Sequence, residues 1–521
     1  MLLSHINVAQ YKSPARTIIR SLLLGREKKN DKLQAAQDRI ELLEKQNQRL
    51  VHEKRQLQQR LRETQQAKQF DLRPSLPDDQ NPLRHNFGAR LIALCCELAK
   101  SIGFRASEVV LGHVRTWLGS EFKIPDWTTI RTWLCRMGVA IIDQAQQKHD
   151  DWIWMADHSV QLGDIKVLVI LGIRQRDLPQ DRPLNRSDMK PLAILPSKDR
   201  NKHEVATQFR KLSEKIGVPI SIVIDGATEL HEGAKCFADS GKDVVVLDDI
   251  KHKAANILKK VIGKSERFRQ FESHLGKTTA SIQQTELAAF LPPKKKEKSR
   301  FMNLSKLLKW CEMTLDHLHH PDSRACAEID SERFQTKLGW LSEYEEDLEV
   351  WQSCQNVVSS TLEFSNTSGI YRGVTADLNR HLDATSATEV AEALEVRRSL
   401  VAVVSRCEQR LLESSHANRR LTASTEVLES VFGGYKRLQR DQTRGTFTSL
   451  LSALPTLTET LLPKAVKAYL ETISNAELKK WVSNAKLGGS TQSQKTIAYQ
   501  DTKARKTPDL RQKNKTTLAE S

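Results

Sequence analysis

The chain has 521 residues, 39% of them hydrophobic and 28% charged, and its 81 Lys and Arg against 64 Asp and Glu leave a formal charge of +17. That length exceeds a single hydrophobic core and predicts about three or four domains. No run of about eighteen apolar residues occurs, which excludes a helical membrane span, and the excess positive charge favours polyanions such as DNA through counterion release.

Within residues 1–30, Ser13–Ser21 reads as a short basic helix opening on Ser-Pro. The Leu22–Leu24 cluster is followed by no cleavage pattern of small residues, so secretion is not expected. Residues 31–68 carry a heptad pattern. Ala36, Leu43, Leu50 and Leu57 take the d positions and Ile40, Asn47, Lys54 and Leu61 the a positions. Leu at d with a polar Asn at a predicts a two-stranded parallel coiled coil and hence a homodimer; a single charged helix lying on its own protein is the alternative. The Pro-rich polar stretch 69–84 reads as a linker.

Residues 85–150 show three successive helical patterns, the arrangement of a helix-turn-helix-like DNA reader. The third starts at Asp126, an N-cap residue, and is expected to stop near Gly138. Ile130, Trp133, Leu134 and Met137 recur at helical spacing and face the core. That leaves Thr128, Thr129, Arg131, Thr132 and Arg136 outward for phosphates or base edges. A helical collar supporting the next domain is the competing reading.

From 151 to 264 the pattern turns to alternating strands and helices. Strands are expected at Trp152–Leu162, Ile165–Ile173, Pro191–Leu195, Pro219–Asp225 and Asp243–Leu247, with helices at Glu204–Ile216, Thr228–Asp239 and Lys251–Ile262. A three-strand meander followed by α, β, α, β, α is the order of a ribonuclease-H-like domain, in which strands one and four lie side by side. No Gly-rich loop follows any strand, which argues against a doubly wound nucleotide-binding fold. Asp157 interrupts an apolar strand, where an unpaired carboxylate is costly. Asp225 ends the fourth strand and is followed by Gly226-Ala227, which leaves room for a ligand.

Three runs carry a resemblance: Trp154-Met155-Ala156-Asp157-His158-Ser159-Val160-Gln161-Leu162-Gly163, Asp249-Ile250-Lys251-His252-Lys253, and Glu429-Ser430-Val431-Phe432-Gly433-Gly434-Tyr435-Lys436. From about Ser13 to Leu454 the chain resembles a group of bacterial insertion-sequence transposases of the DDE class. Asp249-Ile250-Lys251-His252 also matches the (C/D)-x-x-H signature of hobo-Activator-like and Mutator-like transposases. The resemblance implies Asp157, Asp225 and Glu429 as catalytic carboxylates and metal ligands, with Asp249 and His252 auxiliary. Glu426 shares a helical face with Glu429 and is the runner-up. The family's last motif has Lys where this chain has Gly434.

The implied cofactor is a pair of Mg²⁺ or Mn²⁺ ions, and the implied reaction is cutting of transposon ends followed by joining of the 3′-hydroxyl to target DNA. The implied setting is cytoplasmic, nucleoid-associated when on DNA, with no membrane partner. Residues 265–424 read as a helical insertion interrupting the core, 425–485 as helices returning the last acid, and 486–521 as a disordered basic tail. The fold class expected is therefore multidomain α+β. The basic run Lys294–Arg300 is either a grip on the DNA backbone or a solvated loop. Trp310, Trp340 and Trp351 read as packing residues, His317, His319 and His320 lack metal partners, and the eight cysteines read as reduced core thiols. A domesticated, catalytically silent DNA-binding protein is the alternative function, and a coiled-coil assembly protein a third.

Overall fold

The computed structural model describes residues 81–485, apart from 84, 120–121, 163–164, 198–200, 295–300, 302–303, 321–329 and 441–446. The predicted coiled coil, the basic tail and most of the Lys294–Arg300 run lie outside the described residues. The architecture is α+β, mostly helical around one mixed sheet.

Three helices lead in: α1 (Ala89–Ile102), α2 (Phe104–Leu118) and α3 (Trp127–Ala145). The sheet follows as β1 (Trp152–Leu162), β2 (Ile165–Arg174), β3 (Lys190–Ser197), α4 (Lys202–Ile216), β4 (Ser221–Ile224), α5 (Thr228–Ala238), β5 (Val245–Asp248) and α6 (Ile250–Val261). The strand order is β3-β2-β1-β4-β5. β1, β2 and β3 pair antiparallel, whereas β4 runs parallel to β1 and to β5. The expected adjacency of the first and fourth strands is thus observed, and a strand-free assembly protein is not what this chain forms.

Helices cover both faces of the sheet, which is why its strands read as near-continuous apolar runs. Alternation assigns the sides. Trp154 and Ala156 of β1 join Ile222 and Ile224 of β4 in a core with Phe209 of α4 and Phe237 of α5. Trp154 and Phe237 stack with ring centroids 6.2 Å apart. Ile153 and Met155 join Val223, Val245 and Leu247 on the opposite face, in the larger core shared with α3, α6 and the later helices.

Those later helices are α7 (Glu266–Ile282), α8 (Leu304–His319), α9 (Ser331–Leu338), α10 (Glu345–Ser368), α11 (Val374–Thr385) and α12 (Ala391–Leu412), the all-helical stretch expected between the fifth strand and the last acid. Trp310 and Trp351 are buried in it. The Trp310 indole N–H donates to the Phe290 carbonyl and the Trp340 N–H to the Thr278 hydroxyl, so these rings act as packing residues. The chain then forms α13 (Glu426–Arg440), α14 (Phe447–Leu450), a 3₁₀ segment (Leu451–Thr458), α15 (Pro463–Thr472) and α16 (Asn475–Asn484). Cys95, Cys96, Cys135, Cys311, Cys354 and Cys407 are free and buried, and Cys236 is free and half-buried. Among the described residues no helix is long and apolar enough to cross a membrane.

Helix α3 corrects the expectation at Gly138. Asp126 caps the helix as expected, accepting from the Thr128 N–H at 2.8 Å, but the helix runs seven residues past Gly138 to Ala145. Gly138 is instead the point where the 3₁₀ segment crosses α3. A Cβ there would stand 1.7 Å from the Ser452 carbonyl oxygen, so the glycine serves close backbone approach and not helix termination.

Candidate active site

The site is assembled on β1, midway along the strand, and just past the carboxyl ends of β4 and β5. Ala156 pairs with Ile224 and Ile224 with Asp248, so Asp157 within β1 and Asp225 and Asp249, the residues just past β4 and β5, follow one level across three adjacent parallel strands. The alternation that places Met155 in the larger core assigns Asp157, two residues on in β1, to the same face. Asp157 is 7% exposed, and the β1–β2 register shifts just beyond it. Asp225 is half-buried, and its Oδ1 accepts from the Ala227 N–H at 3.0 Å, a turn that breaks β4 and starts the path into α5. A Cβ at Gly226 would meet no atom within 4 Å, so the space beside Asp225 is open.

Asp249 plays a different part from its neighbours. It is 1% exposed, and both its oxygens are engaged. Oδ1 accepts from the His252 backbone N–H at 2.9 Å and so caps α6; Oδ2 accepts from the Thr425 N–H at 2.7 Å and from the Thr425 hydroxyl. Burial works to raise its pKa, but the His252 charge and these hydrogen bonds outweigh it and hold the carboxyl below its ordinary value. Asp249 therefore ties the start of α6 to the residue that precedes α13. It positions the helix that carries Glu426 and Glu429.

Helix α13 packs on β1, and its acids meet α6. Lys251 bridges both: its ammonium lies 2.8 Å from Glu429 Oε2 and 3.1 Å from Glu426 Oε1. The second Glu426 oxygen accepts from the Asn366 amide at 3.2 Å. Burial opposes the Lys251 charge, yet Glu429 and Glu426 raise its pKa. His252 behaves likewise. Burial lowers its pKa, but Asp249, then Asp225 and Glu429, raise it above the ordinary imidazole value. The imidazole thus lies within electrostatic reach of carboxylates from β4 and from α13. Its buried Nδ1 stands 3.5 Å from Asp249 Oδ1, close enough for an ion pair but outside hydrogen-bond geometry.

The carboxylates are oxygen donors of the kind Mg²⁺ and Mn²⁺ prefer. Among the described residues, however, no group of three or more His, Cys, Asp or Glu stands gathered at metal-ligand spacing. Glu429 is drawn instead to Lys251. His317, His319 and His320 form no such group either; His319 pairs with Glu345 and His320 with Asp316.

The helix expected to read DNA is placed otherwise than its periodicity suggested. Thr128 is exposed and Thr129, Arg131 and Thr132 are half-buried, but Arg136 is only 7% exposed. Arg136 donates to the carbonyls of Leu470 and Ile473 at 2.6 Å each, and Arg131 donates to the Ser449 hydroxyl at 2.6 Å. Arg136 is therefore turned inward as a tie between α3 and α15, and not outward as its place in the helical period suggested.

Lys251 and Thr425 escaped the sequence reading. Lys251 sits inside the D-x-x-H run as one of its unspecified positions, and Thr425 gains its meaning only from a carboxylate 176 residues earlier. No family model and no curated protein matches the sequence. Among solved structures, the Drosophila P element transposase strand transfer complex is similar at 15% identity with a TM-score of 0.38, over 78% of this chain and 100% of that chain.

Proposed function

We propose that the chain is a DNA transposase with a ribonuclease-H-like core, cutting an element's ends and joining the freed 3′-hydroxyl to target DNA. The observation that carries the reading is the placement of Asp157 and Asp225 side by side, each one residue past the last β1–β4 pair, with the acids of α13 tied to the end of β5 by Asp249 and Thr425. Strand order and the helical stretch before the last acid support it.

In this reading Asp157, Asp225 and Glu429 would hold the divalent ions, which when bound would supply Lewis-acid charge to the attacking and leaving oxygens. Glu429 is preferred to Glu426 because its charge, like that of Asp225, acts on His252, whereas Glu426 is held by Asn366. Lys251 bridges the two acids, and can turn to an incoming phosphate once Glu429 is engaged elsewhere. His252 balances the negative charge between β4 and α13. Thr128, Thr129, Arg131 and Thr132 remain the proposed DNA contacts of α3, and residues 31–68 the proposed dimerisation segment.

The Lys251 pairing also favours a second reading, a catalytically silent DNA-binding protein, because an ammonium already neutralises the third acid. Incubating purified protein with the DNA flanking its gene, with and without Mg²⁺, and sequencing the products separates the two. Transposition predicts Mg²⁺-dependent junctions at fixed end positions. Binding without nicks or junctions in Mg²⁺ or Mn²⁺ would establish the silent protein.

A further inference from the structure

We infer that Arg186 and Arg437 form a paired guanidinium site for one phosphodiester of the bound strand, flanking the position where Glu429 would act. The place of the site is read from the guanidinium geometry; its ligand rests on the DNA-processing function proposed above.

Arg186 opens a 3₁₀ turn (Arg186–Asp188) between β2 and β3. The turn is held firmly. Asn185 and Asp188 cap each other, and Arg182 donates to both Asp188 oxygens at 2.7 and 2.8 Å. From this base the Arg186 side chain crosses to α13, where Nε donates to the Ser430 hydroxyl at 2.7 Å. Its Nη1 lies 3.4 Å from where a Cβ on Gly434 would be, so the guanidinium rests on bare helix backbone that a side chain would crowd.

Ser430, Gly434 and Arg437 stand at i, i+4 and i+7 on α13, so the exposed Arg437 flanks the guanidinium that rests on the first two, and burial together with its like charge lowers the Arg186 pKa. Neighbouring cations are matched: Arg182 by Asp188 and Lys190 by Glu459. Among the described residues neither Arg186 nor Arg437 has an ion pair. Two like charges brought together without a counter-ion repel, and an anion between them removes that cost. A phosphodiester suits the pair because its two free oxygens accept from two planar forks at once.

Glu429, Gly433 and Arg437 are spaced by four and share one face of α13. A Cβ at Gly433 would meet nothing within 4 Å, leaving room for a strand along that face. At 1.5 Å per residue, Arg437 stands about 12 Å along the helix from Glu429. The phosphate it takes is therefore a flanking one and not the scissile one, so the site acts on affinity.

The test is fluorescence anisotropy of a fluorescein-labelled DNA duplex of arbitrary sequence with the full chain in EDTA over a range of NaCl. Arg186→Gln and Arg437→Gln are each expected to weaken binding about 3- to 10-fold and to lower the log–log salt slope by about one. The double variant should lose little beyond the worse single one. Unchanged slopes, or losses that multiply in full, would overturn a shared phosphate while leaving the transposase reading intact. Should the wild-type chain bind no DNA, that reading fails, and calorimetric titration with inorganic phosphate decides the site: heat with wild type and none with R186Q sustains it, and equal heats overturn it.

Discussion

Asp157→Asn is expected to abolish strand cleavage, by about 10³-fold or more, while DNA binding measured in EDTA stays within about threefold of wild type. The substitution keeps the size of the side chain and its place on β1, and removes only the charge that a divalent ion requires. Asp157 sits one residue beyond the Ala156–Ile224 pair and is almost fully buried, so a neutral amide there is tolerated by the fold. Glu429→Gln should behave alike in cleavage. It should also loosen Lys251, which then retains only Glu426. Metal-dependent cleavage retained by either variant would remove that residue from the site.

Asp249→Asn is expected to cost about 3–5 kcal/mol of stability, because it breaks a buried charged network from one side. An amide offers one acceptor oxygen, whereas the carboxylate serves the His252 N–H on one side and two Thr425 donors on the other. The amide's NH₂ would face the Thr425 donors. Thr425→Val removes the hydroxyl alone and should cost about 1 kcal/mol. The pH dependence follows from the depressed carboxyl pKa. A group held below its unfolded value of about 3.9 contributes stability that is present above that pH and is lost as pH falls through the folded value. The deficit of the variant, read from denaturation midpoints, should thus be full at neutral pH and shrink below about pH 4. A deficit that is small and constant with pH would mean that Asp249 does not clamp α13.

Much of this arrangement was legible in the residues. The spans of β1, α4 and α5 follow from apolar runs bounded by turn residues, and the alternation that buries Met155 also assigns Asp157 to its face. Asp126 announced its helix start through its capping chemistry. What was hidden depends on partners far along the chain. Gly138 reads as a stop because glycine commonly ends helices, yet its role is set by Ser452. Arg136 lies on what the helical period marks as a polar side, and only the Ile473 carbonyl, 337 residues away, turns that side inward. A periodic stripe identifies one packed face of a helix and is silent on whether a second element covers the other. Lys251 was illegible for the same reason, since its two acids belong to a helix more than a hundred residues later.

The central claim is that Asp157, Asp225 and Glu429 act as one divalent-cation site, and Mn²⁺ titration followed by electron paramagnetic resonance tests it most directly. The account predicts about two bound ions per wild-type chain with flanking DNA present, and loss of at least one in Asp157→Asn, Asp225→Asn and Glu429→Gln alike. Equal Mn²⁺ binding by all four proteins would contradict it.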